Sequence, residues 1–170
     1  MILVENLDTI GTFDDQDRVE KGGSILIDGP TIKAVGKFPT SDLQPEEVIS
    51  GKGMVAIPGF VNTHHHFFQQ LTRAVPAVHS TDILDWLLHL YPIWGKVDEE
   101  AMHYATLLSC AELLLTGCTT TADMAFFYPF GRTSLIDVEI QAASEVGIRF
   151  HPCRASMLGM EGDLSRTLES

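Results

Sequence analysis

The first third of the chain alternates short apolar runs with polar turns, which predicts β-strands. The apolar runs that predict strands lie at residues 2–4, 24–27 and 31–35. The last two of these strands are predicted to form a hairpin, because residues 28–30 read Asp-Gly-Pro and supply a tight turn. No cluster of metal-ligating residues occurs in this part, so residues 1–57 are predicted to be a structural portion of a small β-sandwich.

From Val55 onward the pattern changes to strands that alternate with helices. An acidic helix start at residues 98–100 precedes an apolar stretch to Leu115, and Gly117 is typical of a helix stop. The other predicted elements are a strand at residues 119–122, a helix at residues 135–146 and a strand at residues 148–151. This alternation predicts an α/β fold with parallel strands and right-handed crossovers.

A long connection follows the first of these strands, at residues 67–97. Its apolar positions predict another amphipathic helix after residue 82, with Ser80 or Thr81 as its N-cap. Connections in α/β units are usually about 2–6 residues long, so the extra segment indicates either a functional insertion or an additional packing helix.

Composition limits the partners and the compartment. The chain has 170 residues, 45% of them hydrophobic, and a formal net charge of −12 with a sequence pI of about 4.8. This balance argues against a nucleic-acid or anionic-membrane partner, because both are bound by basic patches. Three scattered cysteines do not make a disulfide framework, and neither a signal peptide nor a long apolar span is visible, so a reduced, cytoplasmic protein is expected.

The candidate chemistry lies in three consecutive histidines, His64, His65 and His66, at the end of an apolar run. If the strand continues through them, side-chain alternation places His64 and His66 on one face and His65 on the other. Two imidazoles on one face at the carboxyl end of a strand can bind one metal ion. The alternative is a pair of hydrogen-bonded histidines without a metal.

The sequence around these histidines resembles the amidohydrolase superfamily. Residues 58–66, Pro-Gly-Phe-Val-Asn-Thr-His-His-His, are similar to the PGxVNxHxH signature at the end of that superfamily's first barrel strand. Three further stretches resemble the branch of 8-oxoguanine deaminases and triazine and hydroxytriazine hydrolases: residues 67–76, 90–94 and 117–120. The resemblance is densest between Ile57 and Asp123.

The resemblance implies that residues 58–170 are the first part of a (β/α)8 TIM-type barrel, with about three βα units. A complete barrel takes roughly 250 residues, and a catalytic zinc typically has three protein ligands. The chain offers His64 and His66, whereas the family's other ligands and its catalytic acid/base groups are expected beyond Ser170. The chain is therefore expected to be an amino-terminal portion that is inactive alone.

His151 and Asp123, at the ends of two other predicted strands, are alternative candidates for metal ligands. The family pattern uses neither strand for the metal, and Asp123 is expected to hydrogen-bond loop amides instead. His65 is expected to face the helices.

The resemblance implies hydrolytic deamination of a purine-like or triazine-like heterocycle such as 8-oxoguanine. One divalent metal per complete site, zinc or alternatively iron, would activate the water that displaces ammonia. Gln69 matches the family's HHHxxQ spacing and Arg154 lies in a segment similar to the branch's TRGSM, so both are expected to contact substrate. Trp94 could form an aromatic wall of the site, or it could be a core residue.

Departures from the branch leave the substrate open. Met124 and Ala125 stand where many relatives have histidines, and Ala155 stands where glycine is usual. One alternative is an amidohydrolase that breaks another C–N bond or a C–Cl bond. A second is a non-catalytic metal-binding or interaction module. The full-length protein is expected to be a homo-oligomer.

Overall fold

The computed structural model describes residues 1–128 and 132–155, and the chain divides into two compact units between Pro58 and Gly59. The division lies one residue beyond the boundary expected from the sequence. No helix among the described residues is both long enough and apolar enough to cross a lipid bilayer.

The first unit is a single five-stranded sheet. Its strands are β1 (Ile2–Gly11), β2 (Val19–Asp28), β3 (Thr31–Gly36), β4 (Glu47–Ser50) and β5 (Val55–Ala56). β1 pairs antiparallel with β2 and parallel with β4 and β5, and the β2–β3 pairing confirms the predicted hairpin. Gly29 in its turn has a φ of 55°, a conformation that favours glycine. Residues 1–58 form one layer, so they do not supply the second layer of the predicted sandwich.

In the second unit, the described residues form three parallel strands, as the sequence predicts. They lie in the order β6 (Phe60–Asn62), β7 (Cys118–Ala125) and β8 (Arg149–Arg154). The helices are α1 (Ile83–Trp94), α2 (Glu99–Leu115) and α3 (Leu135–Val146). The predicted start and stop signals of α2 and the predicted range of α3 are confirmed. Asp98 caps α2 by accepting the Ala101 N–H, and Gly117 and Gly147 have left-handed φ angles of 86° and 83°.

The connection from β6 to α2 contains two 3₁₀ helices, Phe67–Thr72 and Pro76–Val78, followed by α1. The predicted cap of α1 was wrong, because Asp82 is the N-cap. Its carboxylate accepts the N–H groups of Leu84 and Asp85, both at 3.0 Å. The Thr81 hydroxyl donates instead to the Val78 carbonyl in the preceding 3₁₀ helix.

The core of the second unit fixes the chain directly after the histidines. Phe68 is fully buried in an aromatic cluster, where its ring centroid lies 5.1 Å from that of Trp94 on α1 and 5.8 Å from that of Phe127. Phe67 is also fully buried, but in a second cluster with Cys110 of α2. Two adjacent side chains thus anchor the first 3₁₀ helix in two separate parts of the core.

Candidate functional site

The three histidines lie immediately after β6 rather than on it. The strand ends at Asn62, whose side-chain oxygen accepts the His64 N–H at 3.3 Å and whose amide donates to the Thr121 hydroxyl at 3.3 Å. Asparagine favours such local bonds, and they turn the chain out of the strand. The expectation that the strand runs through His66 was therefore wrong.

The structure nevertheless brings His64 and His66 together. Their Nε2 atoms are 3.1 Å apart, and their ring planes meet at 84°. The His65 ring does not join this pair. Its centroid lies 5.0 Å from that of the Phe67 ring, and its Nδ1 accepts the His66 N–H at 2.9 Å. The separation of residues 64 and 66 from residue 65 thus holds although the backbone is no longer a strand.

The carbonyl of Met124 selects the tautomer of His66. His66 Nδ1 lies 2.9 Å from this oxygen, which can only accept, so the proton is on Nδ1 and the lone pair is on Nε2. This lone pair faces His64 Nε2 at hydrogen-bonding distance, so without a metal the two rings form the hydrogen-bonded pair that the sequence left as the alternative. Burial lowers the pKa of His66 and the charge of His64 lowers it further, against the opposing effect of the Met124 bond. A neutral imidazole with a free Nε2 is the form that binds a metal.

The spacing of the two nitrogens fits a zinc ion. Two nitrogens about 2.05 Å from a tetrahedral zinc lie about 3.3 Å apart, close to the observed separation. In residues 1–128 and 132–155, no group of three or more His, Cys, Asp or Glu side chains is arranged to hold a metal. The described residues therefore offer two nitrogens at a spacing that suits a metal, one fewer than the three protein ligands of a typical catalytic zinc.

A cavity of about 660 Å³ adjoins the pair. Its walls include all three histidines together with Gln69, Thr72, His79 and Trp86. Gln69 belongs to the first 3₁₀ helix, and its N–H donates to the His66 carbonyl at 3.0 Å. The structure thus places Gln69 beside the histidines. Trp86 and His79 also line the cavity, and neither is a candidate that the sequence motifs mark.

The structure does not bring the other two expected substrate contacts to this cavity. Trp94 is fully buried, and its Nε1–H donates to the Thr72 hydroxyl at 2.9 Å, so it supports the cavity wall from behind. Arg154 lies at the carboxyl end of β8, with its guanidinium carbon 4.3 Å from the centroid of the Tyr128 ring. His151 is exposed on the same strand.

Asp123 near the end of β7 is hydrogen-bonded to residues 64–67, called here the histidine segment. Its Oδ1 accepts the Phe67 N–H at 2.7 Å, which confirms the expected bond to a loop amide. The side chain is fully buried, and this burial raises its pKa to about 7 although the Phe67 bond opposes the shift.

A second buried carboxyl, Glu139 on α3, was missed by the sequence reasoning. Burial in the first place, and the charge of Asp123 in the second, raise its pKa to about 9. The signal was present in the sequence, since Glu139 stands four residues after Leu135 and four before Ala143 on the buried stripe of the helix.

Comparison with known proteins agrees with this geometry. The profile of the amidohydrolase family matches residues 55–167, a range that contains both histidines and β7. The chain belongs to the amidohydrolase family. The predicted membership is thereby confirmed, and the first unit lies almost entirely outside the matched range.

Two curated members of the family resemble the chain in sequence. The 8-oxoguanine deaminase of Pseudomonas aeruginosa is 38% identical over 136 residues, a match that covers 80% of this chain and 30% of that protein. The hydroxydechloroatrazine ethylaminohydrolase of Pseudomonas sp. strain ADP is 36% identical over 152 residues, covering 86% of this chain and 32% of that protein. The chain spans about a third of the length of these curated relatives.

Among solved amidohydrolase structures, an atrazine chlorohydrolase from Arthrobacter aurescens TC1 complexed with zinc aligns with a TM-score of 0.87 at 38% identity. The alignment covers 96% of this chain and 39% of that chain. This likeness confirms the prediction that β6, β7 and β8 are strands of the amino-terminal part of a TIM-type barrel.

Proposed function

We propose that the whole protein is a metal-dependent hydrolase that removes an amino group from a purine-like or triazine-like heterocycle, with His64 and His66 as two of its metal ligands. The observation that carries this proposal is the pair of Nε2 atoms 3.1 Å apart, with His66 held by Met124 in the tautomer that binds metals. When bound, one divalent metal per site, zinc in the first place and iron as the alternative, supplies a water molecule activated near neutral pH.

The other residues of the cavity would bind and orient the heterocycle. The Gln69 amide can donate and accept hydrogen bonds at the edge of a ring that has both kinds of group. Trp86 offers an aromatic face to a planar ring, a role that the buried Trp94 does not share. Arg154 is the last residue of β8 and would also contact the substrate, because barrel enzymes bind ligands at the carboxyl ends of their strands.

The setting of the proposed enzyme follows from its composition and surface. We propose a cytoplasmic protein, supported by the free thiols of Cys110, Cys118 and Cys153. Its small-molecule substrate is its main partner, and the net charge of −12 disfavours nucleic acid and anionic membranes. We also propose a homo-oligomer, for which exposed apolar residues on α1 such as Ile83 offer a surface.

The test compares three adjacent histidines in the whole protein. His64→Ala and His66→Ala are expected to lose the metal and to lower turnover by several orders of magnitude, since the activated water goes with the metal. His65→Ala is the matched control. It should keep the metal and lose at most about 10–100-fold in rate through its bond to the His66 backbone.

Metal content is measured on each variant, together with ammonia release from 8-oxoguanine, guanine and an aminotriazine. Chloride release from a chlorotriazine without ammonia release from any amine would support the carbon–chlorine alternative. A wild-type protein that releases neither ammonia nor chloride would support the non-catalytic metal-binding or interaction module. Loss of metal from His65→Ala but not from His66→Ala would refute the assignment of the ligands.

A further inference from the structure

We infer that Asp123 is a positioning residue for the metal: its buried carboxylate holds the chain at Phe67 so that His64 and His66 keep the spacing of a ligand pair. The inference rests on the proposed function, since it concerns the metal that the two histidines would bind. It assigns to Asp123 an action through the backbone, without contact to the metal or the substrate.

Three hydrogen bonds join the end of β7 to the histidine segment. Besides the 2.7 Å bond from the Phe67 N–H to Asp123, the Met124 N–H donates to the His65 carbonyl at 2.9 Å, and the Met124 carbonyl accepts from His66 Nδ1 at 2.9 Å. The last two bonds come from the backbone of Met124, which any residue at this position supplies. Asp123 contributes the one bond of the three that depends on the identity of a β7 side chain.

The bond to Asp123 replaces a helix cap that is otherwise missing. The first 3₁₀ helix begins at Phe67, and its N-cap residue, His66, makes no capping bond with its side chain. The first N–H groups of a helix lack partners within the helix, and a buried N–H without a partner is costly. Phe67 is fully buried, so Asp123 provides the acceptor that its N–H needs. The helix therefore begins directly after His66 because of a side chain from another strand.

The energetic cost of Asp123 indicates that its presence serves more than packing. The side chain is fully buried, and its Oδ2 has no hydrogen-bond partner among the described residues. A buried carboxyl with half of its acceptors unused destabilises a core relative to an apolar residue of similar size. The bond that compensates this cost reaches the residue next to a proposed metal ligand. A buried carboxyl that destabilises the core is typical of a residue with a role in a functional site.

The test uses substitutions that differ in whether an acceptor remains. Asp123→Leu has a similar volume but cannot accept the Phe67 N–H, whereas Asp123→Asn keeps an Oδ1 acceptor. Glu139→Gln is the matched control, because Glu139 is equally buried and has no hydrogen-bond partner among the described residues. Zinc affinity of the metal-free whole protein is measured by competition with a chromophoric chelator, and urea unfolding of the same samples reports stability.

We expect Asp123→Leu to weaken zinc binding by about 10–100-fold, the usual effect of losing a residue that orients a ligand. Asp123→Asn should restore the affinity to within a few-fold of the wild type, and Glu139→Gln should leave it unchanged. A purely structural role would instead make zinc affinity follow stability across all three variants. Asp123→Ala provides the same comparison where the leucine prevents folding.

The outcomes separate this inference from the proposed function. A wild-type protein that binds no zinc refutes the proposed function and the inference with it. Tight binding by the wild type and equal binding by Asp123→Leu and Asp123→Ala overturn the inference alone. Equal weakening in Asp123→Asn and Asp123→Leu also overturns it, because the acceptor oxygen would then not be what matters.

Discussion

Replacing Glu139 with glutamine is expected to remove a loss of stability that the protein undergoes as the pH rises. The side chain is fully buried on α3, and neither carboxyl oxygen has a hydrogen-bond partner among the described residues. Burial, assisted by the charge of Asp123, raises the pKa of Glu139 from 4.5 to about 9. The folded protein therefore keeps this proton at neutral pH, whereas the unfolded chain releases it.

The sign and the size of the effect follow from proton counting. Between the two pKa values the folded state binds more protons than the unfolded state, so the free energy of unfolding falls as the pH rises, and the fall ends near the folded pKa of about 9. Each pH unit in this interval costs about 1.4 kcal/mol, which amounts to about 3 kcal/mol at pH 7.

Three other buried ionisable groups lie near Glu139: Asp123, Cys110 and Tyr128. Asp123, with a pKa of about 7, causes a similar decline that levels off near that value. Burial raises the pKa of Cys110 to about 12 and that of Tyr128 well above its usual range, so both keep their protons. Because these three groups are present in both proteins, the difference in slope between the wild type and Glu139→Gln from about pH 7 to 8.5 reports Glu139.

Urea unfolding of the whole protein across this interval provides the assay. The slope of the unfolding free energy against pH should be about 1.4 kcal/mol per unit steeper in the wild type than in Glu139→Gln. The slopes are compared rather than the absolute stabilities, because the glutamine amide also lacks partners at every pH. Glu145→Gln, an exposed carboxyl on the same helix, should keep the wild-type slope. Equal slopes for the wild type and Glu139→Gln would refute the reasoning.

Three further predictions concern packing and assembly. Trp94→Phe keeps an aromatic ring in the core but removes the bond to Thr72, so urea unfolding should show a loss of about 1 kcal/mol with metal content unchanged, and unchanged stability would contradict this. A Cβ at Gly59 would collide with the Thr119 side chain, so Gly59→Ala should lose about 1–3 kcal/mol and Thr119→Ala should partly restore it, whereas a harmless Gly59→Ala would disprove the close contact. The isolated 170-residue chain should dimerise or aggregate in size-exclusion chromatography. In the described residues β6 and β8 each have one edge without a strand partner, and Phe60 on β6 is 57% exposed. A monodisperse monomer with a cooperative melt would favour an independent module.

Regular elements could be predicted because their signals are local. Asp98 and Gly117 delimit α2, and the apolar spacing up to Gly147 defines α3. The end of β6 could not be predicted from its apolar run, because it is set by the bonds of the Asn62 side chain, one of them to Thr121 in another strand. The α1 cap was predicted wrongly for a different reason: residues 80–82 are all good capping residues, and the backbone conformation that makes Asp82 the N-cap is not visible in the sequence.

The candidate site shows the same division between local and distant information. Strand alternation predicts the pairing of His64 with His66, and the structure shows that pairing although the strand ends at Asn62. Trp86 and Trp94 stand eight residues apart on α1 with ring centroids 5.1 Å apart, so their spacing does not show which one is buried. Packing against Phe68 and Phe127 decides it, and neither belongs to the helix. The sequence left Trp94 open between a wall of the site and a core residue; the structure buries it in the core, and Trp86 lines the cavity instead.

The bond that orients His66 also has a consequence for the order of folding. The carbonyl that selects its tautomer belongs to Met124, 58 positions later in the chain, and the pairing of β6 with β7 spans a similar distance. Contacts of this separation form late, because the loop between them must first be closed. A nascent chain that has reached only α2 therefore carries both histidines without the acceptor that prepares them. Metal capture is expected to follow the docking of β7, unlike in zinc fingers, where binding of the metal drives folding.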